Sequence, residues 1–460
     1  MSKKSTSIEV AKLAGVSQST VSRVFSNNSP NVSEETRQRV LNAADELGYQ
    51  PNIIARMMST RQTNIIGIVM ATITSPFYPY VLEKFLKALQ AIDRQVLLFT
   101  ASPDQSVDDI LPLVLQHQVD ALIITSATLS SDMVEECERS GTPVILFNRY
   151  VSETQVSAVC ADNVAGGQLI ADLLVDSGHS RFGYIAGQQN TSTNTDRQRG
   201  YTERLRERGI TDIMIAEAGY TYESGYEAAK SLLRSAQMRP DAIFCANDIM
   251  ALGAIDAARE LKLNIPYDVS IVGFDDIPMA GWGAYNLTTV SQEVDEMIDA
   301  TITLMLEKID DPHSPPELRL IPGKLKRRGS VDDPAYDFSL SWDKIVSFYE
   351  HLTTTSGWQS MTPILDMISE MREREYDKKL RAGQSLATFI LSRSRNWGLQ
   401  PHVLQPTIRF NANNLTYIHP DEARTKTILE FDGVTLNDEI IALLDKLAEH
   451  PIVYPERKYR

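Results

Sequence analysis

The first fifty residues repeat apolar side chains at three- and four-residue steps, which is typical of short helices. The series consists of Val10, Leu13, Val16, Val21 and Val24. The pattern predicts a helix over residues 8–14, a break at Gly15 and a second helix over residues 18–25. Ser17 has the side chain that caps such a helix. We therefore expect these valines and Leu13 to form one small core.

The polar positions of the second predicted helix face away from that core. They are Gln18, Ser19, Thr20, Ser22 and Arg23. Hydroxyl and amide side chains with one guanidinium are the groups that read base edges and hold phosphates in duplex DNA. A third helix follows, with Ser33 as its cap. Since three-helix units also occur in proteins that bind no DNA, the pattern alone leaves the function open.

From Ile65 onward the pattern changes to short apolar runs rich in β-branched residues. Nine or so of these runs alternate with amphipathic stretches such as residues 81–92, 165–177, 198–208 and 249–262. Alternation of this kind predicts parallel sheets covered by helices on both faces. Nine strands favour two doubly wound lobes over one.

Polar residues follow several of these predicted strands. They are Ser75 with Phe77 and Tyr78, Asn148 with Arg149, Asn247 with Asp248, and Asp275 with Asp276. Any one group could be a turn or a helix cap and nothing more. Because ligands of doubly wound sheets bind beyond the carboxyl ends of the strands, the groups together predict a ligand site.

The last part of the chain, residues 334–460, predicts a small α+β domain. We expect helices at residues 341–352, 362–380, 384–395 and 437–448, and two hairpin-like pairs within 407–431. Its expected core includes Val434, Leu436, Ile440, Leu443, Leu444 and Leu447.

Three groups of residues invite a chemical interpretation that the pattern does not favour. Arg393 and Arg395 could bind an anion, although solvated surface arginines are the commoner case. His402 and His419 lack metal-ligand spacing. His179, in SGHSR, is expected to be structural rather than catalytic.

Charge and cysteine content narrow the class of protein. The net charge is −15, yet residues 1–61 hold eight Lys or Arg against five Asp or Glu. A small basic head on an acidic body suits a protein that presents only the head to a polyanion. Three cysteines without CxxC spacing argue against disulfides and zinc. With no secretory signal and no apolar run that could span a bilayer, we expect a cytoplasmic protein without cofactor or metal.

The head also resembles a known family. The stretch EVAKLAGVSQSTVSRVFSNNSPNVSEETRQRVLNAADELGYQPNIIARMM is similar to the helix-turn-helix domain of the lactose-repressor (LacI/GalR) family of bacterial transcription regulators. The resemblance implies that Gln18, Ser19 and Arg23 contact base edges. It further implies backbone contacts from Ser17, Thr20 and Ser22, and a hinge helix in which Ala55 matches the family motif. Met58 takes the place of the leucine that the family inserts into the minor groove.

Residues 62 to about 330 resemble the periplasmic-binding-protein-like effector domain of the same family. The similar segments include ADNVAGG, SGHSRFGYIAG, DRQRGY, FCANDIMALGAIDAARELKLNIPYDVSIVGFDDIPMA and LTTVSQ. The resemblance implies that Arg197, Asn247 and Asp275 bind an effector and that Phe77, Tyr78, Asn148 and Trp282 line its cleft. These groups suit the vicinal hydroxyls of a sugar, although family members also bind nucleobases or phosphoproteins. The family's usual proline before LTTV is absent, since Tyr285 and Asn286 stand there.

Together these patterns predict an α/β chain with four parts. We expect a helix-turn-helix head at residues 1–48, a hinge at 49–63, a two-lobed doubly wound domain at 64–330 and a C-terminal α+β domain at 334–460. The expected function is a homodimeric regulator, most simply a repressor, that binds a pseudo-palindromic DNA operator under the control of a small effector. A sugar-binding transport receptor and an enzyme carried by the C-terminal domain are the alternatives.

Overall fold

The computed structural model describes the greater part of the chain. The described residues are 5–25, 32–49, 63–70, 75–100, 107–125, 131–151, 156–189, 191–355, 362–385, 388–395, 406–411, 414–419, 425–430 and 436–453. They fall into two compact units. The first comprises residues 1–172 with 181–330, and the second comprises residues 173–180 with 331–460.

The first unit begins with three short helices. They are α1 Ser7–Ala14, α2 Gln18–Val24 and α3 Glu34–Glu46. Thr6 and Glu9 form a reciprocal capping box at the start of α1, and Gly15 ends it with a φ of 67°, a left-handed conformation that favours glycine. The Ser17 side chain accepts a hydrogen bond from the Thr20 backbone N–H and so caps α2.

Buried small apolar residues hold the three helices together. Val10, Val21, Val24 and Val40 are buried with the alanines of α1 and α3. The expectation that Leu13 joins this core is wrong, because Leu13 is 47% exposed. Val10 and Ala14 lie four residues apart on the inward face of α1, which leaves Leu13 on its flank.

A parallel six-stranded sheet forms lobe one, in the order β11-β5-β4-β3-β1-β2. Its strands are β1 Ile65–Met70, β2 Gln95–Thr100, β3 Ala121–Thr125, β4 Val144–Phe147, β5 Ser157–Ala161 and β11 Leu318–Ile321. Its helices are α4 Phe77–Ala91, α5 Val107–Leu115, α6 Ser131–Ser140 and α11 Val294–Asp310. The last of these packs against α4, β4 and β5 although it lies far along the chain.

Lobe two repeats this plan with the order β12-β10-β9-β8-β6-β7, in which only β12 runs antiparallel to its neighbour. Its strands are β6 Phe182–Ala186, β7 Ile213–Glu217, β8 Ala242–Cys245, β9 Ser270–Asp275, β10 Thr288–Ser291 and β12 Lys324–Lys326. Its helices are α7 Asn163–Asp176, α8 Ser192–Glu207, α9 Tyr222–Leu233 and α10 Asp248–Glu260.

The strand order explains where a ligand site can form. In each lobe the first strand of the chain lies between the second and third, so the connections diverge to opposite sides of the sheet and leave a crevice at the carboxyl ends. The chain passes between the lobes three times, around residues 162, 292 and 322. Each lobe is therefore assembled from segments that are distant in sequence.

The second unit contains an antiparallel sheet in the order β13-β14-β15-β16-β17. Its strands are β13 Arg381–Ser385, β14 Thr388–Ser392, β15 Thr407–Phe410, β16 Asn414–Ile418 and β17 Lys426–Glu430. Its helices are α12 Pro334–Thr354, α13 Pro363–Glu373, α14 Tyr376–Lys379 and α15 Asp438–Ala448. Trp342, Tyr349, Phe389, Tyr417 and Leu444 are buried in the core that helices and sheet share.

Two elements of this unit differ from the sequence prediction. The helix expected at residues 384–395 is wrong, since β13 and β14 occupy that region and alternate between more and less buried positions. The β-branched and aromatic residues of β14 favour a strand. The single helix expected at 362–380 is divided, because Glu375 adopts a left-handed conformation with a φ of 60° between α13 and α14. Val434 lies outside the described residues.

Arg393 and Arg395 are not solvated surface arginines. The Arg395 side chain is 1% exposed and lies 2.7 Å from an Asp332 carboxylate oxygen and 2.5 Å from one of Asp337. Arg393 donates from Nε to the carbonyl of His450 at 2.7 Å and from Nη1 to that of Lys379 at 2.6 Å. Both guanidinium groups thus have structural partners within the second unit.

Close contact between α7 and α8 gives a first prediction. A Cβ on Gly200 would lie 2.1 Å from the Val164 carbonyl oxygen, and a Cβ on Gly167 would lie 2.5 Å from the Arg197 carbonyl oxygen of α8. Gly200→Ala should therefore force the helices apart and cost about 1–3 kcal/mol. The measurement is the midpoint of thermal unfolding. Gly283→Ala is the control, since nothing lies within 4 Å of its Cβ position; equal midpoints for both variants would contradict the prediction.

Candidate functional site

The surface of α2 is the first candidate site. Val21 and Val24 point into the head, whereas Ser17, Gln18, Ser19, Ser22 and Arg23 are exposed and Thr20 is half-buried. The six polar residues predicted to contact DNA therefore lie on the start and outer face of one capped helix. Ala55 and Met58 lie outside the described residues.

Hydrogen bonds fix the start of this surface. The Ser17 hydroxyl lies 2.7 Å from that of Ser19 and 2.8 Å from that of Thr20. The Gln18 amide nitrogen donates to the Ser7 hydroxyl of α1 at 3.0 Å. Short hydroxyl groups and one amide are thus held together at a helix N-terminus, where partial positive charge favours an anion such as a phosphate.

The second candidate site is a cavity of about 370 Å³ between the carboxyl ends of the two parallel sheets. Six predicted effector residues line it. They are Phe77, Tyr78, Asn148, Arg197, Asn247 and Asp275. Trp282 does not line it and is 56% exposed. Trp282 follows the 3-10 turn Pro278–Gly281, and its N–H donates to the Met279 carbonyl.

A buried ion pair forms one wall of the cavity. Arg197 Nη2 lies 3.2 Å from Asp275 Oδ1, and the two side chains are 2% and 8% exposed. Arg197 Nε donates to Asn163 Oδ1 at 2.8 Å and Nη1 to the Ala246 carbonyl at 2.5 Å. Its guanidinium carbon lies 3.8 Å from the centre of the Phe274 ring. The Arg197 guanidinium is therefore fixed by contacts within the protein in the absence of a ligand.

The Asp275 carboxylate has a second partner. Gln292 Nε2 donates to Asp275 Oδ1 at 2.6 Å. Burial raises the pKa of Asp275, and the Arg197 guanidinium opposes that rise. Among the described residues, the buried Gln292 Oε1 has no hydrogen-bond partner. Gln292 does not itself line the cavity, so its role there is to hold the Asp275 carboxylate.

Asn148 provides a further acceptor from lobe one. It is 5% exposed and takes a left-handed conformation with a φ of 67°. Its backbone N–H donates to the Val159 carbonyl at 2.8 Å, while its buried Oδ1 has no partner within the described part of the chain. Asn247, from lobe two, accepts from the Met250 N–H with its Oδ1 and caps α10. Its Nδ2 is therefore the atom that can donate into the cavity.

The loop after β7 supplies a wall that the sequence analysis did not single out. Gly219, Tyr220, Tyr222 and Glu223 all line the cavity. Tyr220 packs so closely on Gly187 that a Cβ there would lie 2.1 Å from its ring, and its hydroxyl lies 3.1 Å from that of Thr193. The strand-end rule that selected Asn148 and Asp275 would also have found this loop, had it been applied to β7.

Other candidate residues lie elsewhere. His179 follows α7 and its N–H closes that helix on the Leu174 carbonyl, away from the cavity lining. His419 Nε2 lies 2.8 Å from the Thr427 hydroxyl across two strands of the second unit. The described residues contain no cluster of His, Cys, Asp and Glu that could hold a metal. Within the same residues, no helix is long and apolar enough to cross a membrane.

Comparisons with known proteins relate this geometry to a family. Residues 8–52 match the model for bacterial regulatory proteins of the lacI family, and residues 171–331 match a periplasmic binding protein-like domain. Catabolite control protein A of Priestia megaterium is 32% identical over 329 residues, which cover 70% of this chain and 98% of the relative. Nearly the whole relative is matched, and part of this chain extends beyond it.

Two solved structures are similar to this chain over most of its length. A lac repressor dimer bound to operator and the anti-inducer ONPF matches with a TM-score of 0.64 at 26% identity, over 71% of this chain and 99% of the other. A complex of the transcriptional regulator CelR with cellobiose matches with a TM-score of 0.54 at 30% identity, over 71% and 100%.

The buried Asp248 behind the cavity gives a pH prediction. Its carboxylate accepts from the Thr289 hydroxyl at 2.6 Å and from the Ile277 N–H at 2.9 Å. Burial and then the nearby Asp275 raise the pKa of Asp248 to about 7. A folded-state pKa above the unfolded value of about 3.9 means that the folded chain binds more protons between these values. Its contribution to stability is thus present below pH 4 and is lost as pH rises through 7.

Asp248→Asn removes this titration while keeping an acceptor. We expect the midpoint of thermal unfolding of the original chain to fall relative to that of the variant as pH rises from 5 to 8. Scanning calorimetry across this range measures the difference. Parallel curves for the two proteins would show that Asp248 does not titrate there.

Proposed function

This chain belongs to the LacI family of bacterial regulatory proteins, and we propose that it is a repressor whose hold on an operator is controlled by a sugar bound between its lobes. The chain is a DNA-binding transcription regulator of the kind that responds to small molecules, and its relatives are regulators rather than enzymes. The identity of the effector class and the roles of individual residues are the parts that we propose.

The DNA-reading part of the proposal rests on the exposed polar face of α2. Gln18, Ser19 and Arg23 contact base edges in the major groove, where amide and guanidinium groups make bidentate pairs. Ser17, Thr20 and Ser22 contact the phosphate backbone, which fixes the register of the helix on the duplex. Ala55 and Met58 act in the minor groove, where an apolar side chain can open a base step.

Two copies of the chain bind one operator in this proposal. A two-fold dimer places its recognition helices in successive major grooves, so its operator is a pseudo-palindrome. The similar lac repressor structure is a dimer on its operator. We expect the protein to act in the cytoplasm, where this DNA is accessible.

The effector part of the proposal rests on one observation: the cavity is lined by a buried acceptor atom, Asn148 Oδ1, that has no hydrogen-bond partner among the described residues. The carboxylates of Asp275 and Glu223 also line the cavity. An anionic ligand would meet these carboxylates unfavourably. A polyhydroxylated neutral ligand supplies several O–H donors and also accepts from the Asn247 amide.

Aromatic side chains in the cavity wall favour the same ligand class. Tyr78, Tyr220 and Tyr222 line the cavity with rings that carry hydroxyl groups. Such rings stack on the apolar faces of a sugar while their hydroxyls stay hydrogen-bonded. The similar regulator CelR is in complex with cellobiose. Because effector and operator act on one two-state protein, each changes the affinity for the other by the same factor.

Removing the guanidinium of α2 tests the DNA-reading role. Arg23→Ala should weaken binding to operator fragments selected from genomic DNA by about 1–3 kcal/mol and leave non-specific binding nearly unchanged. Fluorescence anisotropy with selected and scrambled duplexes measures both. Arg39→Ala is the matched control, since it removes an exposed arginine from α3 of the same head. If the two variants lose the same affinity for both duplexes, Arg23 does not read bases.

Removing the Asn148 amide tests the effector site. We expect calorimetry with a panel of mono- and disaccharides to find a ligand for the unmodified protein. Asn148→Gly should weaken that ligand by about 1–3 kcal/mol, because glycine accepts the left-handed backbone but has no acceptor. Asn64→Gly, at a φ of 55° before β1, is the control. Binding of no sugar would reject the ligand class, and undiminished binding to Asn148→Gly would place the site elsewhere.

A further inference from the structure

The two lobes contact each other directly at Tyr150, beside the cavity. Tyr150 follows β4, and its side chain packs against the apolar core of lobe one. Its backbone N–H donates to the Ser192 hydroxyl at 3.1 Å, and its own hydroxyl donates to Asp196 Oδ2 at 2.8 Å. Ser192 and Asp196 both belong to the first turns of α8 in lobe two. One residue of lobe one therefore makes two hydrogen bonds to one helix of lobe two.

Asp196, which accepts the hydrogen bond from the Tyr150 hydroxyl, is held in place by a further partner. Asp196 is 6% exposed, and its other oxygen, Oδ1, accepts from Arg199 Nη2 at 2.9 Å. A buried carboxylate needs such partners, because an unpaired charge away from water is costly. Burial and then the bond to Asp196 raise the pKa of Tyr150 to about 12. The phenol therefore keeps its proton and remains a donor throughout the physiological range.

Neither Tyr150 nor Asp196 lines the cavity, so neither occupies the space of a ligand. The cavity lining includes Arg149 and Arg197, the immediate neighbours of the two residues, but not Tyr150 or Asp196 themselves. Arg149 makes a further contact between the lobes, since its guanidinium carbon lies 6.0 Å from the centre of the Tyr220 ring. Each member of the pair is therefore one residue along the chain from a residue of the cavity wall.

We propose that the Tyr150–Asp196 hydrogen bond is an interlobe clasp that holds the lobes at the spacing at which both can contact an effector. The inference rests on the proposed function for its regulatory meaning. The clasp stabilises this lobe arrangement in the absence of ligand, and a ligand that touches both lobes stabilises the same arrangement. Tyr150 is thus a positioning residue that raises effector affinity without touching the effector.

The clasp affects effector affinity through the population of lobe arrangements. A ligand that binds one lobe arrangement has its affinity reduced by the fraction of molecules in other arrangements. Loss of a hydrogen bond to a charged acceptor lowers the ratio of clasped to other arrangements by the corresponding factor, and the clasped fraction falls with it. The clasp therefore acts on effector binding, and through it on operator binding, with no contact to either ligand.

A distance measurement tests the clasp without effector or DNA. Spin labels are attached at Glu135→Cys on α6 of lobe one and Ser231→Cys on α9 of lobe two, both exposed positions. The three natural cysteines are buried and so are poor labelling sites. Labelled chains are diluted with unlabelled full-length protein, so that pulsed dipolar spectroscopy reads the distance within one chain.

Four variants in this labelled chain separate the clasp from general effects. Tyr150→Phe removes only the hydroxyl, and we expect its distance distribution to broaden. Asp196→Ala should have the same effect, whereas Asp196→Asn keeps an acceptor and should stay near the original distribution. Tyr376→Phe is the matched control, because it removes a tyrosine–aspartate bond of 2.7 Å to Asp445 within the second unit. A Tyr150→Phe distribution that superimposes on the original overturns the proposal.

Ligand binding gives the second readout. For the sugar that binds the unmodified protein, Tyr150→Phe should raise Kd about three- to tenfold, and Tyr376→Phe should not change it. An unchanged Kd together with a broadened distribution would overturn the link between clasp and effector. If no sugar binds, the proposed ligand class fails, and the distance measurement still decides whether the clasp exists.

Discussion

The ion pair between Arg197 and Asp275 is the interaction on which the site of this protein depends. Two buried charges are stable only when they are close and when their remaining donors and acceptors are used. The chain meets this demand with Asn163 and Gln292, and both residues lie where the backbone passes from one lobe to the other. A change at the pair is thus felt at the crossing segments, which are the parts that must bend if the lobes move.

Much of the fold and the site could be predicted from the sequence, because the relevant signals are local. Alternating strands and helices indicated the two lobes, and polar residues after the strands indicated Asn148, Asn247 and Asp275. Leu13 was misplaced because it lies on the flank of α1 rather than on its inward face. Trp282 was expected in the cleft from the family resemblance, and the cavity lining does not include it. Helix rotation and the direction of a short turn decide such cases, and neither can be read from residue type.

The second unit was harder to predict, and the reason is physical. Residues 384–395 contain apolar and polar positions that fit both a helix and a hairpin, and the choice depends on partners more than ten residues away. The Arg395 side chain shows the same dependence, since its burial follows from Asp332 and Asp337, more than fifty residues earlier in the chain. An arginine is expected at the surface unless the carboxylates that will pair with it can be identified, and here they are distant in sequence.

The left-handed backbone at position 148 restricts how this regulator can evolve. Few side chains accept a φ of 67° without strain, chiefly asparagine, aspartate and glycine. Substitution at this position can therefore replace the amide with the carboxylate of aspartate or remove the side chain with glycine. Larger or apolar side chains would strain the backbone. Natural divergence toward new effectors would have to proceed at other lining positions such as Tyr222 and Glu223, where the helical backbone at the start of α9 accepts a wider choice of side chains.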